Sequence, residues 1–234
     1  MSNRNYKRAT QLTPEERRRQ LLRCAIAAFA ANGLGRGTHA QVAKLAGVAV
    51  PTVFSYFPTR EDLVDGVLNE IESVLLGIVR TDLQREDLTA FDKLFNLLSA
   101  YVTAIKEDPD IVKVFLDWTT SFEAGLAAKF QMYLAKLMKL LAQIIEQGQQ
   151  RKEFSADVTP IDAALMIYSS ANVLAQIKFY NYGVDDNHYI LSLINSVLHL
   201  QDHGGEVGRN PIVTQQTPRK RKTKPTEKTR AKPK

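Results

Sequence analysis

Apolar residues recur at intervals of three and four along most of the chain, which is the spacing of one face of an α-helix. In the first such segment, which begins at Thr13-Pro14, the apolar face holds Leu22, Ala25, Ile26 and Phe29. No segment alternates apolar and polar residues for long enough to indicate a β-strand. The chain is therefore predicted to be all-α. The predicted helices cover residues 14–32, 38–46, 51–57, 59–81, 90–107, 109–123, 126–150, 159–182 and 185–202.

Two short helices joined by a tight turn are predicted between residues 38 and 57. Thr38 is a suitable N-cap, and Gln41 three residues later completes a capping box. Gly47 provides the turn, and Pro51 stands at the start of the second helix, where its missing N–H costs no hydrogen bond. This arrangement is typical of a helix-turn-helix.

Each of these two helices is predicted to turn one apolar face inward. The inward residues are Val42, Leu45 and Ala46 in the first helix, and Val53, Phe54 and Phe57 in the second. Thr52, Ser55 and Tyr56 are then left facing outward. A helix with small polar residues and one aromatic residue on its exposed face suits the major groove of DNA.

The arrangement Thr38…Val42-Ala43…Ala46-Gly47-Val48…Thr52-Val53-Phe54…Tyr56-Phe57 resembles the TetR family of bacterial transcription regulators. A narrower set is similar to the HapR/LuxR/SmcR group, the quorum-sensing master regulators of vibrios and their relatives. That set consists of Gly33-Leu-Gly-Arg-Gly37, His39-Ala40 and Thr52-Val-Phe-Ser-Tyr-Phe-Pro-Thr-Arg-Glu-Asp-Leu-Val-Asp65. The resemblance covers about the first third of the chain.

Side chains on this motif are the candidates for contact with DNA. Base reading by methyl, hydroxyl and water-mediated contacts is predicted for Pro51, Thr52 and Ser55. Phosphate contacts are predicted for Lys7, Arg8, Thr38, His39, Tyr56 and Arg60. The resembling group has asparagine where this chain has Ser55, and asparagine reads adenine through two hydrogen bonds.

The resemblance also implies that the rest of the chain forms a helical body. In that family the last two long helices form a homodimer interface, and here those helices are apolar over more than one face. Burial within a monomer explains the same pattern.

A small apolar ligand is expected in the body, and its candidate contacts are Leu75, Ile78, Val79, Trp118, Met138 and Gln176. An ordinary core tryptophan is the alternative for Trp118.

The charge is distributed unevenly, with a net charge of +8 over residues 1–60, −10 over 61–216 and +8 over 217–234. Basic ends on an acidic body indicate that two defined segments bind a polyanion.

We expect a flexible basic arm over 1–12, a DNA-binding domain over 13–58 and a regulatory and dimerisation domain over 59–203. A disordered basic tail is expected over 204–234.

The sequence gives little support for a catalytic site or a metal site. The single cysteine, Cys24, excludes a disulfide framework, and it lies in a helical apolar pattern that is typical of a small buried residue. His199, Asp202 and His203 lie close together in the sequence and could in principle bind a metal ion, but a polar helix end is the preferred explanation. No enzyme, metal or cofactor is predicted. No apolar run approaches the roughly 20 residues that span a bilayer, so a cytoplasmic protein is expected.

The prediction is a homodimeric regulator that binds a palindromic DNA operator and is of the HapR/LuxR-like quorum-sensing or global kind. A local repressor that responds to a tightly bound inducer is one alternative. A nucleoid-like protein that binds DNA without sequence preference through its basic ends is the other.

Overall fold

The computed structural model describes residues 12–198, and within this range every regular element is a helix. This confirms the predicted all-α fold. The nine helices are α1 (Pro14–Asn32), α2 (His39–Ala46), α3 (Val50–Tyr56), α4 (Arg60–Leu83), α5 (Ala90–Glu107), α6 (Pro109–Thr119), α7 (Ala124–Gln150), α8 (Pro160–Phe179) and α9 (Asp186–Leu198).

Local sequence signals explain where most of these helices begin. Capping boxes start α1, α2, α4 and α5, at Thr13, Thr38, Thr59 and Thr89. In each box the threonine hydroxyl accepts a backbone N–H and a side chain three residues later accepts the N–H of the cap. Proline stands in the first turn of α3, α6 and α8, where a helix tolerates it.

The first three helices pack into a head, and the remaining six form a body. α1 packs against α2 and also against α6 of the body, while α7 lies along α8 and α5 lies along α9. The buried apolar residues form one continuous cluster from Leu21 in α1 to Leu198 in α9. The head is therefore held against the body by shared core packing.

Two helices end earlier than predicted. α6 stops at Thr119, where Thr120 and Ser121 donate backbone N–H groups to Asp117 and Trp118 in a tightened last turn. α8 stops at Phe179 because Asn181 adopts φ 57° and Gly183 adopts φ 66°. This left-handed backbone reverses the chain before α9.

Several sequence predictions concern residues outside 12–198. These are the basic arm with Lys7 and Arg8, the basic tail 204–234, and the grouping of His199, Asp202 and His203. Within 12–198 no set of three or more His, Cys, Asp or Glu side chains is placed to hold a metal ion. None of the described helices combines the length and the apolarity that crossing a membrane requires.

Cys24 lies partly buried on α1 and packs against the core. Burial raises the pKa of its thiol. Since the thiolate is the reactive form, this placement agrees with the prediction of a packing residue.

Candidate nucleic-acid interface

The helix-turn-helix forms where the sequence predicts it. Gly47 ends α2 in the left-handed conformation, at φ 65° and ψ 35°, and Val48 then donates its N–H to the Ala43 carbonyl at 3.0 Å. Non-glycine residues rarely adopt this backbone, so the glycine allows the reversal between the helices. Val53 and Phe57 anchor α3 in the core with almost no exposed surface.

The outward face of α3 carries most of the predicted base-reading residues. Pro51 and Ser55 are exposed, and Thr52 and Tyr56 are half-buried. Two predictions about inward residues are wrong. Phe54 is 45% exposed, and Leu45 on α2 is also exposed. Val42, Val53 and Phe57 are the residues of these predicted inward faces that are fully buried in the core.

His39 does not face outward as predicted. Its side chain is only 7% exposed, and Nε2 lies 2.8 Å from the carbonyl oxygen of Phe57. The ring also stacks on Phe54 with centroids 4.1 Å apart and planes within 3°. The imidazole therefore joins the start of α2 to the end of α3, and a phosphate contact by this ring is not supported.

Two other predicted phosphate contacts already have partners inside the protein. The Thr38 hydroxyl forms the capping box of α2 with Gln41. Arg60 donates from Nη2 to the Leu34 carbonyl at 2.8 Å, which uses one of its five N–H donors. Thr38 is exposed and Arg60 is half-buried, and both remain proposed contacts with part of their hydrogen-bonding capacity engaged.

Ser55 has its hydroxyl proton committed to its own helix. Oγ donates to the Thr52 carbonyl at 2.7 Å, one turn earlier. The oxygen can then accept a hydrogen bond from a base but cannot also donate one. A single acceptor discriminates between bases less strongly than the two hydrogen bonds of an asparagine amide.

We expect Ser55→Asn to strengthen the preference for adenine at the base pair facing this position by about 1–3 kcal/mol. The measurement is a binding series with all four base pairs at each operator position. Ser73→Asn on the exposed side of α4 is the matched control and should leave the ranking unchanged. Identical rankings for wild type and Ser55→Asn would show that this side chain reads no base.

A pair of hydrogen bonds joins the head to the body at Leu34, in the segment between α1 and α2. The Leu34 N–H donates to Oδ2 of Asp117 on α6 at 2.5 Å, and its carbonyl accepts from Arg60 at the start of α4. The Leu34 side chain is buried. We call the contact among these three residues the Leu34 clamp. It fixes the segment that leads into the helix-turn-helix against two body helices.

A cavity of about 60 Å³ lies in the body between α4, α5, α6, α7 and α8. It is lined by Leu75, Ile78, Val79, Leu97, Leu98, Tyr101, Phe115, Tyr133, Leu137, Leu141, Ile167, Tyr168, Ala171 and Asn172. Thus three of the predicted ligand contacts, Leu75, Ile78 and Val79, share one cavity wall. All three come from α4.

The other three predicted ligand contacts lie elsewhere. Trp118 is buried outside the lining of this cavity, where its indole N–H donates to the Leu126 carbonyl at 2.9 Å and its ring packs on Tyr133 with centroids 5.6 Å apart. Met138 is buried but does not line the cavity, and Gln176 lies on the exposed side of α8. The ligand contacts predicted for Trp118, Met138 and Gln176 therefore stay predictions that this cavity does not support.

The polar residues of this cavity were missed by the sequence analysis. They are Tyr101 on α5, Tyr133 on α7, and Tyr168 and Asn172 one turn apart on α8. Each lies within an apolar helical pattern, so the available signal was a hydroxyl or amide at an inward position. That signal shows a buried polar group but does not show which helices meet around it.

Comparison with known protein families gives two matches along the chain. The profile described as bacterial regulatory proteins, tetR family, matches residues 21–67, which span the helix-turn-helix. The profile described as tetracyclin repressor-like, C-terminal domain, matches residues 87–176 in the body. Together the two profiles cover more than half of the chain.

Individual relatives agree with this assignment. The chain is 39% identical over 112 residues to the HTH-type transcriptional regulator LuxR of Vibrio harveyi, which covers 48% of this chain and 54% of LuxR. The match thus spans about half the length of that relative. Nucleoid occlusion factor SlmA of Haemophilus influenzae is 24% identical over 170 residues, covering 71% of this chain and 78% of SlmA.

Among solved structures, FadR from Bacillus subtilis in complex with stearoyl-CoA superposes with a TM-score of 0.67. The alignment is 21% identical and covers 77% of this chain and 97% of FadR, so it shows a shared fold. With a helix-turn-helix head, a helical body and both profiles matched in order, the chain belongs to the TetR family of bacterial regulatory proteins.

Proposed function

We propose that this protein is a sequence-specific transcriptional regulator that binds a palindromic DNA operator as a homodimer in the cytoplasm. The observation that carries the proposal is the outward face of α3, where Pro51, Thr52, Ser55 and Tyr56 stand on a short helix anchored by Val53. Such a helix suits the major groove of DNA. The 39% identity to LuxR over about half of the chain supports a quorum-sensing or global regulator.

The homodimer is proposed to form through α8 and α9. The exposed side of α8 carries a stripe of large apolar residues that nothing within residues 12–198 covers, namely Ile161, Leu165, Met166 and Val173. Leu191 adds to it from α9. Contiguous exposed apolar residues are typical of a protein interface, and a two-fold interface pairs each helix with its own copy. The two copies of α3 in the dimer would then bind the two half-sites of the operator.

Regulation is proposed to occur through a small apolar ligand in the body cavity. Fourteen residues line that cavity and none of them is charged. Phe115 in its wall lies on the same helix as Asp117 of the Leu34 clamp. A ligand that displaces α6 would therefore act on the segment leading into the head.

Selection of bound sequences from a random DNA library tests the proposed DNA recognition. We expect enrichment of one palindrome, bound at least about 1,000-fold more tightly than random DNA at physiological salt. Equal affinity for selected and random DNA would favour a nucleoid-like protein that uses its basic segments without sequence preference. SlmA is described as a nucleoid occlusion factor, and its similarity to this chain is the reason to include that alternative.

Genome-wide binding at low and high cell density separates a global regulator from a local repressor. Many occupied sites that change with density would support the quorum-sensing kind. A few sites near the protein's own gene would instead support a local repressor with an inducer of its own.

A further inference from the structure

Lys93, in the first turn of α5, carries a buried charge without an ion-pair partner. The residue is 3% exposed, although a lysine is almost never fully buried unless its charge is paired. Nζ donates to the Leu83 carbonyl at 3.1 Å and to Oε1 of Gln147 at 3.0 Å. Both acceptors are neutral, and no carboxylate among residues 12–198 lies within 4 Å of Nζ. The positive charge is therefore uncompensated by any direct contact in the described part of the chain.

The surroundings of Lys93 offset only part of this charge. Leu83 is the last residue of α4, and a helix carries about half a negative charge at its C-terminus. Two carboxylates of this region are engaged elsewhere. Asp87 accepts from Nε and Nη2 of Arg85, and Glu153 accepts the Ala90 N–H at the start of α5. Because buried charges in folded proteins are paired, the remaining charge points to an anion from outside residues 12–198.

A polar pocket of about 200 Å³ adjoins Lys93 and can hold such an anion. Its volume is well above the roughly 10–15 Å³ that one water molecule requires. Gln147, Gln150 and Arg151 line it together with Lys93. Gln147 accepts from Lys93 through Oε1, so its NH2 group remains available as a donor. Arg151 uses one of its five N–H donors on the Leu88 carbonyl, at 3.1 Å. Four side chains of this pocket can therefore donate to one anion.

The charges in the pocket wall favour a small anion. Lys93 and Arg151 are basic and Glu86 is the acidic residue of the lining, which gives a net charge of +1. Glu86 is exposed to solvent, whereas Lys93 is buried. Water therefore screens the repulsion from Glu86 more strongly than it screens the attraction of Lys93.

Close packing of α7 on α5 fixes the donors relative to one another. Gly148, next to Gln147, has no room for a side chain, because a Cβ there would lie 2.8 Å from Cβ of Ala90. The end of α7 is thus held against the start of α5, three residues before Lys93. A site whose donors are already in place loses less conformational entropy when it binds a ligand.

We propose that this pocket binds a small oxyanion, a carboxylate or a phosphate group, with the Lys93 ammonium as its central charge. Arg151, Gln147 and Gln150 supply the further hydrogen bonds. Hydrogen bonds from a cation to an oxyanion are the strong ones, and the planar guanidinium group matches both carboxylate and phosphate. The pocket shares no lining residue with the apolar body cavity. A bound oxyanion would join the ends of α4 and α7 to the start of α5.

The test is an NMR titration of the full chain with acetate, phosphate and chloride at equal ionic strength. The side-chain NH2 signals of Gln147 and Gln150 should shift saturably with acetate or phosphate, with a dissociation constant of about 10 mM or tighter. Chloride should bind at least about tenfold more weakly. The tighter of the two oxyanions identifies the group that the pocket accepts. Because these signals come from the pocket itself, anions that bind the basic segments at the chain ends do not affect the result.

Two variants test the assigned residues in the same titration. Lys93→Met keeps an unbranched side chain and removes the charge, so it should weaken oxyanion binding at least about tenfold. Arg151→Gln, at an exposed position that folding tolerates, should weaken it about threefold or more and decides the question if Lys93→Met does not fold. Lys139→Met, at an exposed lysine of α7 outside the pocket, is the matched control and should bind as the wild type does.

Two results would overturn the inference. One is the absence of a saturable shift at either glutamine with both oxyanions. The other is an unchanged affinity in Arg151→Gln together with an unchanged affinity in Lys93→Met or its failure to fold. Neither result bears on operator binding, which is measured separately and tests the proposed function.

Discussion

Leu165→Glu is expected to convert the protein to a monomer and to lower its operator affinity at least about 100-fold, or roughly 2.7 kcal/mol. Leu165 lies in the middle of the exposed apolar stripe of α8 and is 49% exposed. A two-fold interface contains every substituted residue twice, so the dimer would bury two unpaired carboxylates. Each monomer would then hold only one half-site.

Sedimentation or light scattering at micromolar concentration measures the first effect, and a binding titration with the selected operator measures the second. Met132→Glu on α7 is the matched control, since Met132 is apolar and 63% exposed but lies outside the stripe. It should leave both the dimer and the affinity intact. A Leu165→Glu protein that stays dimeric would place the interface elsewhere.

The second large effect is expected at the Leu34 clamp. Asp117→Ala removes the carboxylate that accepts the Leu34 N–H and leaves the Arg60 hydrogen bond as the remaining polar contact of the clamp. Hydrogen bonds to charged groups contribute about 1.5–3 kcal/mol. Because Asp117 is exposed, the lower end of that range applies, which is roughly a tenfold loss of operator affinity.

Because the Leu34 clamp fixes the position of the head, its loss should also reduce discrimination between operators that differ in the spacing of their half-sites. Operators with one base pair inserted between the half-sites should be penalised less by Asp117→Ala than by the wild type. Asp110→Ala on the same helix is the control, because Asp110 forms a surface ion pair with Lys113 and does not contact Leu34. If Asp117→Ala lowers only the melting temperature and keeps full operator selectivity, the clamp is a stability element alone.

The helices themselves were largely predictable from the sequence because their signals are local. A capping box needs two side chains three residues apart, as at Thr38 and Gln41, and the turn needs only a residue that tolerates positive φ, which is Gly47. The helical periodicity of α4 likewise places Leu75 and Ile78 on one apolar side, and both were predicted as ligand contacts together with Val79. These three do line the cavity.

Which member of an apolar pattern becomes buried depended on tertiary packing. Periodicity placed Phe54 inward, but α3 is only seven residues long and Val53 and Phe57 already fill its contact with the core. Phe54 instead covers the ring of His39. The burial of His39 could not be predicted from its neighbours in the sequence. Its hydrogen-bond partner, the Phe57 carbonyl, lies eighteen positions later.

By itself, the sequence determined the all-α fold and the helix-turn-helix with its family resemblance. These depend on local signals, because caps, turns and helical periodicity each involve residues a few positions apart. The tertiary structure decided that Asp117 holds Leu34 across 83 positions and that Tyr101 shares a cavity with Tyr168. Both depend on how helices cross. Crossing is set by the fit of whole helix surfaces, which no local pattern of residues specifies.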